Sequence, residues 1–223
     1  MRYRNEWKCE ITYADLLVLR ARLSLLLSRD SHAGSGSYEV RSLYFDDIRD
    51  RALREKTDGV DRREKFRLRY YNRDPSFIRL EKKSKVSGKC GKESAPVSRE
   101  LARALAAGDP APLRESGRTL LLELYAKMMF RGLRPKTIVD YIREPYVYGP
   151  GNVRVTLDYR IRTGMRSTDF LNPDSVTIAA GEDPIILEVK WDEFLPDIIR
   201  DAVRLPGRRG TAFSKYAAAR IYG

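Results

Sequence analysis

From Arg4 to Ile11 (RNEWKCEI) apolar and charged residues alternate, so Trp7 and Cys9 fall on one face of an extended segment and Glu6, Lys8 and Glu10 on the other. The same period of two predicts further strands at Tyr38–Asp46, Glu64–Asn72, Phe77–Lys85, Gly91–Val97, Lys136–Arg143, Asn152–Thr163 and Pro184–Asp192. Lys65, Arg67 and Arg69 oppose Phe66, Leu68 and Tyr70. Arg79, Glu81, Lys83 and Lys85 oppose Ile78 and Leu80. The cleanest alternation sets Val153, Val155, Leu157, Tyr159 and Ile161 against Arg154, Thr156, Asp158, Arg160 and Arg162. Near the end, Glu188 and Lys190 oppose Leu187, Val189 and Trp191.

Helical periodicity lies between these strands. Leu16, Leu19, Leu23 and Leu26 make an apolar stripe from about Tyr13 to Leu27, with Thr12 and Asp15 spaced as a capping box. Ile48–Glu55 reads as a short helix, and Ser98–Ala107 as another with Ser98 as its cap. Arg118–Phe130 is apolar nearly all round, which predicts burial against the sheet or a plug at one end of it. Pro196–Val203 and Ser214–Ile221 close the chain as helices, and Ser31–Ser37, with His32, is a surface loop. The expected fold class is α+β, an eight-stranded antiparallel sheet with peripheral helices, in one domain over residues 1–223.

Composition narrows the chemistry. Lys and Arg number 43 against 31 Asp and Glu, a formal net charge of +12, which calls for an anionic partner. A single histidine and two cysteines, Cys9 and Cys90, argue against a histidine triad, a zinc site or a disulfide framework and fit a reducing, cytoplasmic setting. The most apolar run, Ala14–Leu27, is interrupted by Arg20 and Arg22, so no integral membrane segment is expected. Neither a Walker A sequence nor GxGxxG occurs. The basic, glycine-containing segment Pro206–Lys215 could hold a phosphate on backbone N–H groups or be an ordinary loop with a serine cap.

The strand faces carry the main signal. Lys8, Lys65, Arg67, Arg69, Arg79, Lys83, Lys85, Arg143, Arg154 and Lys190 come from different strands, and few acids share their faces. Alternation alone allows two arrangements: charged faces wetted on an open sheet, or charged faces lining a closed barrel. Buried cations repel one another and are tolerable only with water, a few acids and an anionic ligand. A linear polyphosphate is a natural complement to such a lining. Glu188, mid-strand in an apolar run, is the best metal-ligand candidate, for Mn²⁺ or Mg²⁺, with a salt bridge to an arginine as its simpler reading.

Glu6-Trp7-Lys8, Val40-Arg41-Ser42-Leu43-Tyr44-Phe45-Asp46, Lys65-Phe66-Arg67-Leu68-Arg69-Tyr70-Tyr71, Leu80-Glu81-Lys82-Lys83, Tyr141-Ile142-Arg143, Val153 to Asp158, Leu187-Glu188-Val189-Lys190 and Phe213-Ser214-Lys215-Tyr216 occur in an order that resembles the VTC-type polyphosphate polymerase domain, a branch of the CYTH or triphosphate tunnel metalloenzyme superfamily. The resemblance spans nearly the whole chain and implies an eight-stranded antiparallel tunnel. It implies a catalytic set of Lys8, Arg67, Arg69, Lys83, Arg143 and Arg154, substrate contacts from Arg41, Lys65, Lys92, Lys190 and Lys215, and a metal on Glu188. One departure is that Glu93 and Ser94 follow Lys92, where the family usually has another basic residue. The family's eukaryotic members sit in a membrane complex with a phosphate-sensing domain, and this chain resembles a stand-alone bacterial version.

The implied reaction is transfer of the γ-phosphoryl of ATP to inorganic polyphosphate. Two relatives in function compete: a metal-dependent triphosphatase, which would carry Glu-x-Glu-x-Lys where this chain has Glu6-x-Lys8-x-Glu10, and a non-catalytic polyphosphate-binding module. Nucleic acid is not expected as a partner, because only Tyr71 and Tyr141 share faces with the cations. Whether activity needs a membrane partner stays open.

Overall fold

A computed structural model describes residues 3–30, 33–34 and 36–222. His32 lies outside the described residues. In chain order the elements are β1 (Tyr3–Ile11), α1 (Tyr13–Leu26), β2 (Ser28–Arg29), β3 (Tyr38–Asp46), α2 (Arg51–Thr57), β4 (Arg63–Tyr71), β5 (Asp74–Val86), β6 (Lys89–Val97), α3 (Arg99–Ala106), α4 (Thr119–Arg131), β7 (Arg134–Tyr148), β8 (Val153–Thr163), β9 (Ile178–Ala179), β10 (Ile185–Trp191), α5 (Asp197–Ala202) and α6 (Lys215–Ala219).

Each of the expected strands is a stave of one closed antiparallel barrel. The neighbours run β7-β3-β4-β5-β6-β1-β10-β8, and β8 pairs back onto β7. Closure decides the question that alternation left open: one face of every strand looks into an enclosed interior. The short β2 and β9, with two residues each, have no period to read and extend the sheet beside β7 and β8.

The apolar faces point outwards and are covered by helices. Leu16, Leu19 and Leu23 of α1 and Ile199 of α5 bury Cys9, Val155, Leu157, Leu187 and Val189. Ala102 and Leu105 of α3, with Leu120, Leu121, Leu124 and Met128 of α4, bury Leu43, Phe66, Leu68, Ile78 and Leu80. Each fully buried leucine contributes about 2 kcal/mol, so the two helical layers supply the hydrophobic stabilisation that the polar interior cannot. The Thr12–Asp15 capping box forms as expected: Asp15 N–H donates to Thr12 Oγ1 at 3.3 Å and Thr12 N–H to Asp15 Oδ2 at 3.0 Å. Ser98 caps α3 by accepting from Leu101 N–H at 3.1 Å.

Three expectations are decided or corrected. First, of the two readings of Arg118–Phe130, burial against the sheet holds: α4 covers the outer wall with Leu120, Leu121, Leu124 and Met128 and leaves Phe130 85% exposed, and the helix that enters the barrel is α6, whose Tyr216 and Ala219 pack against Val139, Tyr141, Ile161 and Ile186. Second, the alternation of β8 breaks at Arg160, which adopts a left-handed φ of 51° where the β7–β8 register shifts. This bulge changes the phase of the strand, so Ile161 joins the inner cluster with α6 instead of following Leu157 outwards. Third, α2 starts at Arg51, because the carboxylates of Asp46 and Asp47 take the first free N–H groups, those of Ala52 and Arg51 at 2.8 and 3.1 Å.

Candidate functional site

Inside the barrel is a cavity of about 490 Å³. Among the described residues, fourteen lysines and arginines line it against three carboxylates. Lys8 comes from β1, Lys65, Arg67 and Arg69 from β4, Lys83 from β5, Lys92 from β6, Arg143 from β7, Arg154 from β8, Glu188 and Lys190 from β10, and Lys215 from α6. Every stave but β3 sends a cation inwards.

Two of the expected cations do not line the cavity: Arg79 of β5, which donates to Ser94 Oγ at 2.7 Å, and Arg41. Arg41 lies on the outer face of β3, where its guanidinium donates to both carboxylate oxygens of Asp140 at 2.9 and 2.7 Å and to the Asn172 carbonyl. The reason is parity: Ser42 and Tyr44 face the inward Arg69 and Arg67 across β4, so the residue between them must face out.

The few inner acids are spread among the cations. Lys8 Nζ lies 2.8 Å from Glu6 and 3.2 Å from Glu188, and Lys190 contacts the same two carboxylates. Arg143 donates twice to Asp158, at 2.6 Å each, and Lys215 reaches the same aspartate at 2.6 Å. Glu81, fully buried, accepts from Arg67 at 2.8 and 2.6 Å and from Lys92 at 2.6 Å. Arg69 donates to Ser42 Oγ and Tyr141 Oη, both at 3.0 Å. Arg154 pairs with Asp30 at 2.9 Å and donates to Tyr38 Oη at 3.0 Å. Among the described residues Lys65 and Lys83 have no carboxylate partner; Lys65 donates to Ser214 Oγ at 3.5 Å and lies 5.7 Å from the centre of the Tyr44 ring.

These surroundings divide the lysines. Burial would lower Lys8, but Glu188 and Glu6 outweigh it and hold the ammonium well above the ordinary lysine value. Burial, with repulsion from Lys8 and Arg67, brings Lys65 down to about 8, and burial with repulsion from Lys190 and Arg67 takes Lys83 well below its ordinary value. The acids move the other way. Burial would raise Glu188, yet Lys190, Lys8 and Arg143 hold it well below the usual carboxylate range; Asp158, against the same opposing burial, is held to about 2 by Arg143 and Lys215. Tyr44 is unusual: burial opposes its ionisation, but Arg67, Lys65 and Arg69 outweigh burial and bring the phenol to about 7.

Of the aromatic wall, Tyr71 and Tyr141 were read from sequence on faces shared with cations and do line the cavity, whereas Tyr38 and Tyr44 were not singled out there. Tyr38, Tyr44 and Tyr141 line the cavity, with Arg67 donating to Tyr44 Oη at 2.8 Å. No cation shares the inner face of β3, so its tyrosines gave no cationic signal; the even spacing of Tyr38 and Tyr44 from Ser42 was the available clue. Asp46 was also missed. It is fully buried, accepts from Tyr216 Oη at 2.8 Å and from Ala52 and Leu53 N–H at 2.8 and 3.1 Å, and so ties α2 and α6 to the end of β3. The Pro206–Lys215 segment behaves as a capped loop. Ser214 caps α6, and Thr211 N–H donates to the Lys8 carbonyl at 2.8 Å. Gly210 permits that approach, since a Cβ there would lie 2.8 Å from Trp7 Nε1.

As a metal site the donor set is sparse. Glu188 and Glu6 are the inner carboxylates beside Lys8, and among the described residues no group of three or more His, Cys, Asp or Glu could hold an ion. Such a pair suits a hard divalent cation only when phosphate oxygens complete its shell.

The closed antiparallel barrel, with a cation-lined interior and only a few inner acids, makes this a protein of tunnel architecture with an excess of inward positive charge. The chain matches the VTC domain family over residues 3–222 and belongs to it. No curated protein sequence matches it. Among solved structures, a Bacillus halodurans protein bearing the name adenylate cyclase is similar with a TM-score of 0.53 at 12% identity, over 85% of this chain and 80% of that one, which shows the shared fold. A Pyrococcus horikoshii protein has a TM-score of 0.47 at 14% identity, over 90% of this chain and 84% of that one. Among the described residues no helix is long and apolar enough to cross a membrane.

Proposed function

We propose that this chain is a polyphosphate polymerase, moving the γ-phosphoryl of ATP onto the end of an inorganic polyphosphate held in the same cavity. The observation that carries this reading is the convergence of cations from seven staves and two helices on a single space inside the barrel. A string of phosphates supplies the negative charge which that space lacks. The first strand supports a transferase over a hydrolase, since Lys8 sits between Glu6 and Glu10 and engages Glu188.

In the proposed step an oxygen of the terminal phosphate of the acceptor forms a bond to the γ-phosphorus as the β–γ bridging bond breaks, and ADP leaves. The acceptor is already deprotonated, so no general base is required. Lys8, Arg67, Arg69, Lys83, Arg143 and Arg154 align the two polyanions and offset the charge that concentrates as they approach; Lys65, Lys92, Lys190 and Lys215 extend the grip along the chain. Glu188, with Glu6 beside it, would hold Mn²⁺ or Mg²⁺, which would supply further charge neutralisation on the phosphate oxygens.

Purified protein given ATP and Mn²⁺ should produce ADP and long polyphosphate, read on a gel. Release of free phosphate from tripolyphosphate without chain growth would place the chain with the hydrolases of this class. Absence of any product across divalent metals would remove the enzymatic reading.

A further inference from the structure

Outside the barrel, between α2, β4, β5 and the end of α4, lies a second cleft of about 520 Å³. It shares a wall with the cavity: Arg63, Glu64, Lys65, Ser84 and Ala52 line both. Its cations come from five segments, with Arg51 on α2, Arg62 before β4, Arg63 and Lys65 on β4, Lys82 on β5, and Lys127 and Arg131 on α4, against Asp46, Asp47, Glu55 and Glu64. Some of its charge is settled internally. Arg51 pairs with Glu55 at 2.6 Å, and Lys127 and Lys82 pair with Glu64. Arg62 and Arg131 are exposed and, among the described residues, have no carboxylate or hydrogen-bond partner.

We infer that this cleft is a second anion-binding track, which takes the part of a polyphosphate chain that lies beyond the tunnel. The inference rests on the function proposed above and adds a site to it. A chain longer than the cavity must cross the protein surface somewhere, and the shared wall of Arg63 and Lys65 gives it a cationic route over β4. Unpaired guanidinium groups along that route suit phosphate oxygens, and contacts of this kind release counterions and weaken with salt. A triphosphate, which fits within the cavity, would not reach Arg62 or Arg131. The cleft therefore distinguishes long chains from short ones, and holding the growing chain there favours processive extension.

The test compares tripolyphosphate with long-chain polyphosphate, binding each to the full chain by titration at several salt concentrations. The double variant Arg62→Glu, Arg131→Glu should weaken long-chain binding about tenfold and flatten its salt dependence, with tripolyphosphate binding unchanged. A second variant, Arg99→Glu, Arg103→Glu on α3, changes net charge equally but lies outside both cavities. It should leave both ligands within about twofold, because exposed charges beyond a Debye length are screened. Equal losses in the two variants, or no long-chain loss in the first, would overturn the second track alone. Failure of the unaltered protein to bind either ligand would overturn the tunnel function and this inference together.

Discussion

Arg41 and Arg143 each make a two-point contact with an aspartate directly across a strand boundary, and both contacts hold β7 to a neighbour. Arg41–Asp140 faces outwards at 2.9 and 2.7 Å; Arg143–Asp158 faces inwards at 2.6 and 2.6 Å. Outside, the pair is complete, and the third guanidinium nitrogen, Nη1, donates to the Asn172 carbonyl. Inside, Asp158 is shared with Lys215, and Arg143 comes within 3.9 Å of Glu188, which already serves Lys8 and Lys190. The chemistry of the two pairs is the same, and the charge balance around them is not. A guanidinium with its own carboxylate is structural. One that shares too few carboxylates with too many cations still has attraction left for a phosphate.

The largest effect that would sharpen this contrast is at Glu188. Glu188→Gln should reduce turnover by at least about a hundredfold while triphosphate binding survives, since the cations it neutralises remain; steady-state rates set against calorimetric affinity check the split. Next comes Arg143→Ala, which should weaken triphosphate binding about thirtyfold, the scale of one charge-assisted contact. Arg41→Ala should leave that affinity within about twofold but lower unfolding free energy by about 1.5 kcal/mol in a denaturant titration. An Arg41 variant that lost affinity as strongly as the Arg143 variant would break the distinction between the two walls.

Smaller effects concern the cations without partners. Lys65→Met should raise the melting temperature of the ligand-free protein by about 3 °C, because it removes a half-buried charge that has no carboxylate partner among the described residues, and should weaken phosphate binding. The pH dependence has two signs. Lys65 sits at about 8 when folded, below its ordinary 10.5, so between those values the unfolded chain binds more protons and ligand-free stability rises with pH. Phosphate affinity runs oppositely. As pH climbs, Tyr44, at about 7, becomes anionic and Lys65 then loses its charge, so affinity should fall through that range. Tyr44→Phe should flatten the lower part of the curve, as measured by titration across pH.

Alternation along the strands made the staves legible in the sequence, and with them the placement of Lys8, Lys65, Arg67, Arg69, Lys83, Arg154 and Lys190 on the charged faces. It could not reveal closure, which depends on β7 meeting β8 after the sheet has turned through eight strands. Arg41 was misplaced because its motif drew attention while its parity with Leu43 and Phe45, both on the outer face, pointed the other way. Ile161 was misplaced because the bulge at Arg160 comes from backbone geometry, and nothing in the run of residues marks it. Asp46 escaped notice for a third reason: its role is to join β3 to α2 and α6, which are distant in sequence and meet only in the folded chain.

The central claim is that the inner cations together form one seat for a chain of phosphates. A crystal of the protein soaked with tripolyphosphate tests it most directly. The account predicts connected density within the barrel, with phosphate oxygens on Arg67, Lys83, Arg143 and Arg154. Phosphates found only on the outer surface, with the interior ion pairs undisturbed, would contradict it.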